Sequence, residues 1–319
     1  MDNITHTLAG ALLAEAGLKR RSRFAMAACL LGANAPDIDV FAPLILPVDG
    51  IEFHRGPLHA IFAWPVLAAC IVAILWLVDR VKPRETDTLP FRPGLLFVVA
   101  FLAVLTHPFL DWLTTYAIAV FAPANWHWYS GNAIFIVDWV YLVLMVGGIT
   151  LSVRRSRRQI PNSGVPAQIA GILMLAYIGF NLAESAWVEG RAASALRRRG
   201  IEPVLVVAGP PPLAFWDRTI EWRSTERFGS GSYSPRNGLA IEAAVQPIGL
   251  DDPQLLLARR SQRYVRSFLV WSRMPIVVSI DGRAYLTDQR FYSGPAVPFG
   301  GAMRKMVSRR AFLIPLDKR

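Results

Sequence analysis

Cysteine is nearly absent from this sequence, which has only Cys29 and Cys70 among its 319 residues. Both fall in apolar runs, where free cysteines behave as small buried hydrophobic residues, so no disulfide framework is predicted. The N-terminal residues Met1-Asp2-Asn3-Ile4 lack a positively charged stretch, and no cleavable signal peptide is expected. Histidine is also scarce, with five residues in the chain, so the position of each one is informative.

Charged residues are few as well, at 18% of the chain against 53% hydrophobic residues and a mean hydropathy of +0.35. This composition excludes an ordinary soluble protein, and the length allows two domains. Residues 1–189 carry 13 basic and 13 acidic side chains, whereas residues 190–319 carry 21 and 10. We therefore predict a membrane-embedded domain over 1–189 and a basic soluble domain over 190–319. The basic domain would contact anionic lipid headgroups or another polyanion, unless its basic surface is merely solvated.

Long uncharged runs predict five membrane-crossing segments, at 24–46, 60–78, 95–116, 133–153 and 165–183. An N-terminal helix through about Leu18 is too short to span a bilayer and should be half-inserted or buried in protein. The first run is interrupted, because Pro36 disfavours helix at Ala35 and the chain should unwind there. Non-helical backbone carrying Asp37 and Asp39 at membrane depth is tolerated only around a cavity or a buried site.

Basic residues assign an orientation to these segments. The clusters at 19–23, 80–92 and 154–158 are expected in the cytoplasm, because cytoplasmic loops carry an excess of Lys and Arg. The loop at 117–133 has neither residue type and is rich in aromatic side chains, as in an interfacial belt. We therefore predict a multi-pass protein of a bacterial inner (plasma) membrane, with residues 190–319 on the outer, periplasmic side.

Four of the five histidines lie beside acidic residues in predicted membrane segments, where ionisable groups are normally kept for a site. His107 and Asp111 are four residues apart and so share one helix face. His54 and His59 are five apart, and the bend at Gly56-Pro57 lets both face one centre. These side chains suit Zn²⁺, Mn²⁺ or Fe²⁺, and their number predicts two or more ions. The candidate metal ligands are His6, Asp37, Asp39, His54, His59, His107, Asp111 and Asp138.

Other roles are open for several of these residues. His6 could be a hydrogen-bonded core histidine, and the whole set could form a proton or cation pathway. Against a pathway, every candidate except His6 is expected at one level, toward the outer face. As candidate catalytic residues, Asp37 or Asp39 could bridge metals or act as a general base. Arg55 could hold a phosphate oxygen or snorkel to the interface, and His127 is expected to be an interface residue.

Four sequence blocks resemble the YdjM-type family of inner-membrane proteins: Met1-Asp2…Thr5-His6-Thr7, the run from Gly32 to Asp39, His54-Arg55-Gly56…His59, and His107-Pro108…Leu110-Asp111-Trp112. That family is described as metal-dependent hydrolases distantly related to zinc-dependent phospholipase C and single-strand nucleases, and a LexA-binding label is also attached to it. The resemblance implies metal-ligand roles for the eight candidates, Asp138 included. It covers residues 1–140 and identifies no motif after residue 190.

The second domain is expected to be a small α+β or mostly β module appended to a mainly α membrane domain. Val204–Ala208 is predicted to be a buried strand. Pro275–Ile280 and Arg283–Thr287 are predicted to form a hairpin, because Asp281-Gly282 between them favours a type I′ turn. Leu255–Trp271 is predicted to be one amphipathic basic helix, which could lie on anionic headgroups or pack on the sheet.

These features together predict a membrane-bound metal-dependent hydrolase, phospholipase C-like, that cleaves a phosphoester with metal-activated water. Zinc is the expected cofactor. Membrane lipids are the expected partners, a phospholipid or lipid-linked molecule the expected substrate, and nucleic acid an alternative polyanion. Two other functions stay open: a non-enzymatic membrane-anchored binding or regulatory protein whose basic domain recruits a partner, and a cation transporter.

Overall fold

The computed structural model describes residues 1–81, 89–292 and 312–317. Lys82 and Arg84 of the predicted cytoplasmic cluster lie outside these residues. The chain divides into two compact units, called here the helical unit and the sheet unit. The helical unit comprises Met1–Leu46, Phe53–Glu184 and Pro210–Phe215. The sheet unit comprises the described residues of Pro47–Glu52, Ser185–Gly209 and Trp216–Arg319.

Helices make up most of the first two hundred residues. Helix α1 begins after Asp2, whose carboxylate accepts a hydrogen bond of 3.0 Å from the Thr5 amide and so caps the helix. The predicted domain boundary at residue 189 falls inside the last of these helices. They are α1 (Asn3–Glu15), α2 (Ala25–Asn34), α3 (Ala42–Ile45), α4 (Gly50–Phe53), α5 (Ala63–Val81), α6 (Pro93–Trp112), α7 (Trp139–Arg157) and α8 (Val165–Arg198).

Four stretches of the described chain are long and apolar enough to cross a membrane: Ala25–Ile45, Ala63–Val81, Pro93–Trp112 and Val165–Arg198. They correspond to four of the five predicted crossings. Helix α7 has 19 residues but is not among the four, because Arg154, Arg155 and Arg157 lower the hydropathy of its last turns. The mainly helical membrane region followed by antiparallel sheets is confirmed, with four candidate spans rather than five.

The predicted unwinding at Ala35 is wrong. Residues Ala35–Phe41 continue the first candidate span as a 3₁₀ helix, and Ala35 itself is helical, with φ −59° and ψ −39°. Pro36 lies in the first turn of this 3₁₀ segment, where the missing N–H of a proline breaks no helical bond. The change from α to 3₁₀ geometry keeps the backbone bonded while burying both Asp37 and Asp39.

Small residues bring α1 and α6 close to α2. A Cβ atom on Gly10 would lie 2.6 Å from the Cys29 carbonyl oxygen, and one on Gly32 would lie 2.8 Å from that of Ala100. Such close approach of backbones is typical of membrane helix packing, and it places the ends of three helices side by side. Cys29 is buried as predicted, whereas Cys70 is exposed on α5, contrary to prediction.

The sheet unit contains two antiparallel sheets, with strand orders β1-β2-β3-β4 and β5-β6-β7. The predicted first strand is confirmed within one residue, whereas β3 and β4 were not predicted. The strands are β1 (Leu205–Gly209), β2 (Arg218–Arg223), β3 (Arg227–Ser234), β4 (Gly238–Pro247), β5 (Pro275–Ile280), β6 (Arg283–Asp288) and β7 (Ile314–Pro315).

The predicted hairpin of β5 and β6 is confirmed. Asp281 and Gly282 have φ angles of +52° and +76°, as both central residues of a type I′ turn require. The prediction of one helix over Leu255–Trp271 is wrong. Gln262 is extended, with φ −111° and ψ 118°, and separates α9 (Pro253–Ser261) from α10 (Arg263–Trp271).

Candidate metal centre

His107 and Asp111 project from the last turns of α6 into the interior of the helical unit. Their side chains are 0% and 1% exposed, and His107 Nε2 lies 3.7 Å from Asp111 Oδ2. His107 Nδ1 lies 2.7 Å from the Ala33 carbonyl oxygen, to which it must donate. The neutral imidazole therefore turns its Nε2 lone pair toward the carboxylates, which is the orientation of a metal-binding histidine.

Asp37 and His59 complete a buried group around His107 Nε2. Asp37 Oδ1 lies 3.1 Å and His59 Nε2 also 3.1 Å from that nitrogen. His59 Nε2 lies 3.4 Å from Asp111 Oδ2. Asp37, His59, His107 and Asp111 each offer one ligand atom, and these four atoms lie within 4.8 Å of one another. A single ion could contact all four side chains.

Asp37, Asp39 and His54 form a second group, with ligand atoms that also lie within 4.8 Å of one another. His54 Nδ1 lies 2.7 Å from Asp39 Oδ1, and His59 Nδ1 lies 3.1 Å from Asp39 Oδ2. The His54 side chain is 38% exposed, whereas those of Asp37 and Asp39 are 10% and 0% exposed. Asp37 belongs to both groups, so the two candidate ion positions are adjacent.

His6 lies at the level of the other candidates, contrary to prediction. Its ring stacks on that of His107 with centroids 3.6 Å apart, and its Nε2 lies 3.4 Å from Asp111 Oδ1. Helix α1 runs antiparallel to α2, as the 3.2 Å contact between Thr7 Oγ1 and Asn34 Oδ1 indicates. Burial lowers the pKa of His6 well below its usual range, so the imidazole is neutral.

Several polar atoms of this cluster have no hydrogen-bond partner in the described part of the protein, among them both ring nitrogens of His6 and Asp111 Oδ2. An unsatisfied buried polar group costs about 1–3 kcal/mol, so it normally indicates an ordered water or an ion. Neutral imidazoles with carboxylates are the donors that a divalent transition metal prefers. The residues therefore fit a bound divalent ion.

Comparison with known families identifies the helical region. Residues 1–188 match the family model described as YdjM inner membrane protein. The chain belongs to the YdjM family. Comparisons with curated proteins and with solved structures gave no match. The matched range contains both ligand groups, so the buried cluster of histidines and aspartates lies within the family region of an inner membrane protein.

Arg55 of this YdjM protein points into the site. Its guanidinium lies 3.2 Å from Asp111 Oδ1, and its backbone amide donates to Asp39 Oδ2 over 3.2 Å. Its guanidinium carbon also lies 5.2 Å from the centre of the Tyr116 ring. Only 6% of the residue is exposed, which excludes a snorkelling position in water. Burial lowers the Arg55 pKa to about 10, so the side chain stays cationic at neutral pH and balances the carboxylates.

The structure places Asp138 outside both groups. Its carboxylate caps α7 by accepting from the Tyr141 amide at 3.0 Å and from the Tyr177 hydroxyl at 2.8 Å. Both oxygens are therefore engaged by hydrogen-bond donors of the helical unit. His127, expected to be an interface residue, is exposed and packs its ring 4.5 Å from that of Tyr129.

Two supporting contacts were not predicted. The Ala33 carbonyl orients His107, and the Trp64 indole donates a 2.9 Å hydrogen bond to the His59 carbonyl. A backbone carbonyl leaves no signal in a sequence. Trp64 could have been predicted, because its indole N–H is a donor only five residues after the predicted ligand His59.

Proposed function

We propose that this YdjM-family protein is a membrane-bound hydrolase that uses two zinc ions to cleave a phosphoester. The proposal depends on one observation: Asp37 belongs to two ligand groups that draw on different histidines, His59 and His107 in one and His54 in the other. Two metal ions about 3.5–4 Å apart are common in enzymes that hydrolyse phosphoesters. Imidazole with carboxylate suits zinc better than calcium or magnesium.

Each protein group has a distinct task in this proposal. Bound ions would polarise a phosphoryl oxygen and lower the pKa of water. Asp37 would hold both ion positions together, and Asp39 would orient His54 and His59, to which its two oxygens are adjacent. Arg55, a buried cation beside Asp111, would bind a phosphate oxygen through its planar guanidinium.

The position of the site along the candidate spans supports a lipid or lipid-linked substrate. Asp37 and Asp39 lie in the second half of Ala25–Ile45, and His107 and Asp111 lie in the last turns of Pro93–Trp112. His59 precedes Ala63–Val81 by four residues. The ends of membrane-spanning segments lie at the level of the lipid headgroups, where phosphoesters are found.

An outer, periplasmic position of residues 190–319 requires α7 to cross the membrane. Its 19 residues measure about 28 Å at 1.5 Å per residue, close to the thickness of about 30 Å of a bilayer core. Its last turn carries Arg154, Arg155 and Arg157, as expected at a cytoplasmic end. Alkaline phosphatase fused after Arg319 should therefore be active. An inactive fusion, with a fluorescent cytoplasmic reporter at the same position, would overturn the periplasmic placement of residues 190–319.

Hydrolysis can be tested on the full chain in mixed micelles that contain phosphatidylglycerol. We expect product release with zinc, none after chelation, and recovery when zinc is restored. Asp37→Asn should lower the rate by about 100-fold or more, because it weakens both ion positions, whereas His127→Ala should leave it unchanged. Turnover that survives chelation contradicts the proposal. Bound zinc without turnover of any phosphodiester would instead favour a non-enzymatic binding protein.

A further inference from the structure

Two short helices of the sheet unit present apolar and basic side chains to the outside. Leu257 is 66% exposed, Leu256 49% and Tyr264 44%. The stretch Pro253–Trp271 contains no acidic residue. Arginine side chains lie between these apolar residues and are exposed too. We call the following set the α9–α10 surface: Leu256, Leu257, Arg259, Arg260, Arg263 and Tyr264.

Packing within the sheet unit does not account for these apolar residues. Different apolar residues form the inward faces of the two helices. They include Leu255 and Ala258 on α9 and Val265 and Phe268 on α10, all at most 3% exposed. Leucines that project outward beside arginines are unfavourable in water. They are typical of helices that lie in a membrane interface, with leucine in the acyl boundary and arginine among the phosphates.

A contact of α10 within the sheet unit links this surface, through the chain, to the end of a candidate span. The Arg263 guanidinium donates to the Pro47 carbonyl oxygen. Partial burial and the neighbouring Asp49 carboxylate raise the pKa of Tyr264. Pro47 follows Ile45, the last residue of the span, by two positions, which is at most about 7 Å of extended chain. The end of a span lies at the boundary between bilayer and water, so the first turn of α10 is bonded to chain at that boundary.

We propose that the α9–α10 surface lies on anionic phospholipid headgroups of the leaflet at which the span Ala25–Ile45 ends. Charge favours this partner, because the stretch Pro253–Trp271 has four exposed arginines and no carboxylate. Among the acidic residues near this stretch, Asp49 acts electrostatically on Tyr264, and Asp251 and Asp252 directly precede α9, which Asp252 caps. The inference does not depend on the metal centre or on hydrolysis.

A spin label on the full chain tests this position. In a Cys29→Ala, Cys70→Ala background, a nitroxide is attached at Leu257→Cys, or at Arg236→Cys as an exposed control in the same unit. Both proteins are reconstituted in nanodiscs of phosphatidylcholine alone or mixed equally with phosphatidylglycerol. We expect the label at 257 to collide with oxygen rather than with a water-soluble nickel chelate in the anionic discs. The label at 236 should stay accessible to nickel in both lipids.

Charge reversal separates electrostatic docking from other contacts. Each arginine near an anionic surface contributes about a five-fold factor to binding. Arg259→Glu with Arg260→Glu should therefore lower the equilibrium constant for docking at least about 25-fold and increase the access of the nickel chelate to the label. The matched pair Arg236→Glu and Arg283→Glu should not. Unfolding temperatures of both pairs identify any variant that fails to fold.

Three outcomes would overturn the proposal. The label at 257 could be as accessible to nickel as the label at 236 in anionic discs. Its depth could be the same with and without phosphatidylglycerol and unaffected by reversal of Arg259 and Arg260. The surface could instead bind a single-stranded oligonucleotide, with the label still in water, which would identify a soluble polyanion as the partner.

Discussion

Substitution of one histidine in either ligand group should remove the ion of that group and leave the other ion bound. His107 belongs only to the group of Asp37, His59 and Asp111, whereas His54 belongs only to the group of Asp37 and Asp39. We therefore expect a zinc-to-protein ratio near two in the wild type. The ratio should fall to about one in His107→Ala and also in His54→Ala.

The expected loss of zinc affinity and of stability follows from the contacts and burial of the substituted histidine. Loss of an outer hydrogen-bond partner alone weakens metal binding by about 10–100-fold, so loss of a ligand should weaken it by at least about 100-fold. Substitution of the fully buried His107 by alanine also opens a cavity, at a cost of about 2–5 kcal/mol. His107→Gln keeps most of the volume and an N–H donor for the Ala33 carbonyl, so it separates metal loss from unfolding.

The assay is elemental analysis after dialysis against buffered zinc. At a free zinc concentration of about ten times the wild-type Kd, an intact site is about 90% occupied and one weakened 100-fold about 10%. His127→Ala serves as the matched control, because His127 is exposed and lies outside both groups. Unchanged ratios in both site variants would refute the ligand assignment. A ratio near zero in either variant would refute two separable positions.

Three further outcomes are expected. Zinc at about 100 times Kd should stabilise the protein by about 2.7 kcal/mol, and chelation should lower its unfolding temperature accordingly; equal unfolding temperatures would contradict this. Gly32→Leu should cost about 1–3 kcal/mol and reduce zinc content, because a Cβ there meets Ala100, whereas Gly147→Leu, with open space around it, should change neither. Burial raises the Asp288 pKa, but Arg290 more than offsets this and lowers it to about 2. Because the folded pKa is below the unfolded one, Asp288 stabilises the fold above about pH 4. The unfolding free energy of the wild type relative to Asp288→Asn should fall by about 2 kcal/mol between pH 4 and 2, and an unchanged difference would contradict the assigned ion pair.

The parts of the site that were predictable are those encoded by local spacing. His107 and Asp111 were expected on one helix face, and they meet at 3.7 Å on α6. The hairpin of β5 and β6 was predictable for the same reason, since Asp281-Gly282 specifies its turn without help from the rest of the chain. By contrast, β3 reads Arg-Phe-Gly-Ser-Gly-Ser-Tyr-Ser, with too few apolar residues to show a strand period.

The spacing of residues in the sequence could not predict that His6 lies at the site and that Asp138 lies outside it. Both are ionisable residues next to apolar runs, and the sequence alone treats them alike. The close packing of α1 on α2 at Gly10 brings His6 onto the His107 ring. The Tyr177 hydroxyl of α8 instead engages Asp138 at the start of α7. Long-range packing therefore separates a candidate ligand from a helix cap.

The sequence by itself determined that this protein is a membrane protein with a basic second domain, and which residue types could hold a metal. Composition and periodicity are sufficient for that, because hydrophobic length and charge act locally along the chain. Only the tertiary structure decided that carboxylates of the first span and imidazoles from two other segments meet around Asp37. Side chains 70 residues apart come within 3.1 Å only after small residues let the helices pack closely.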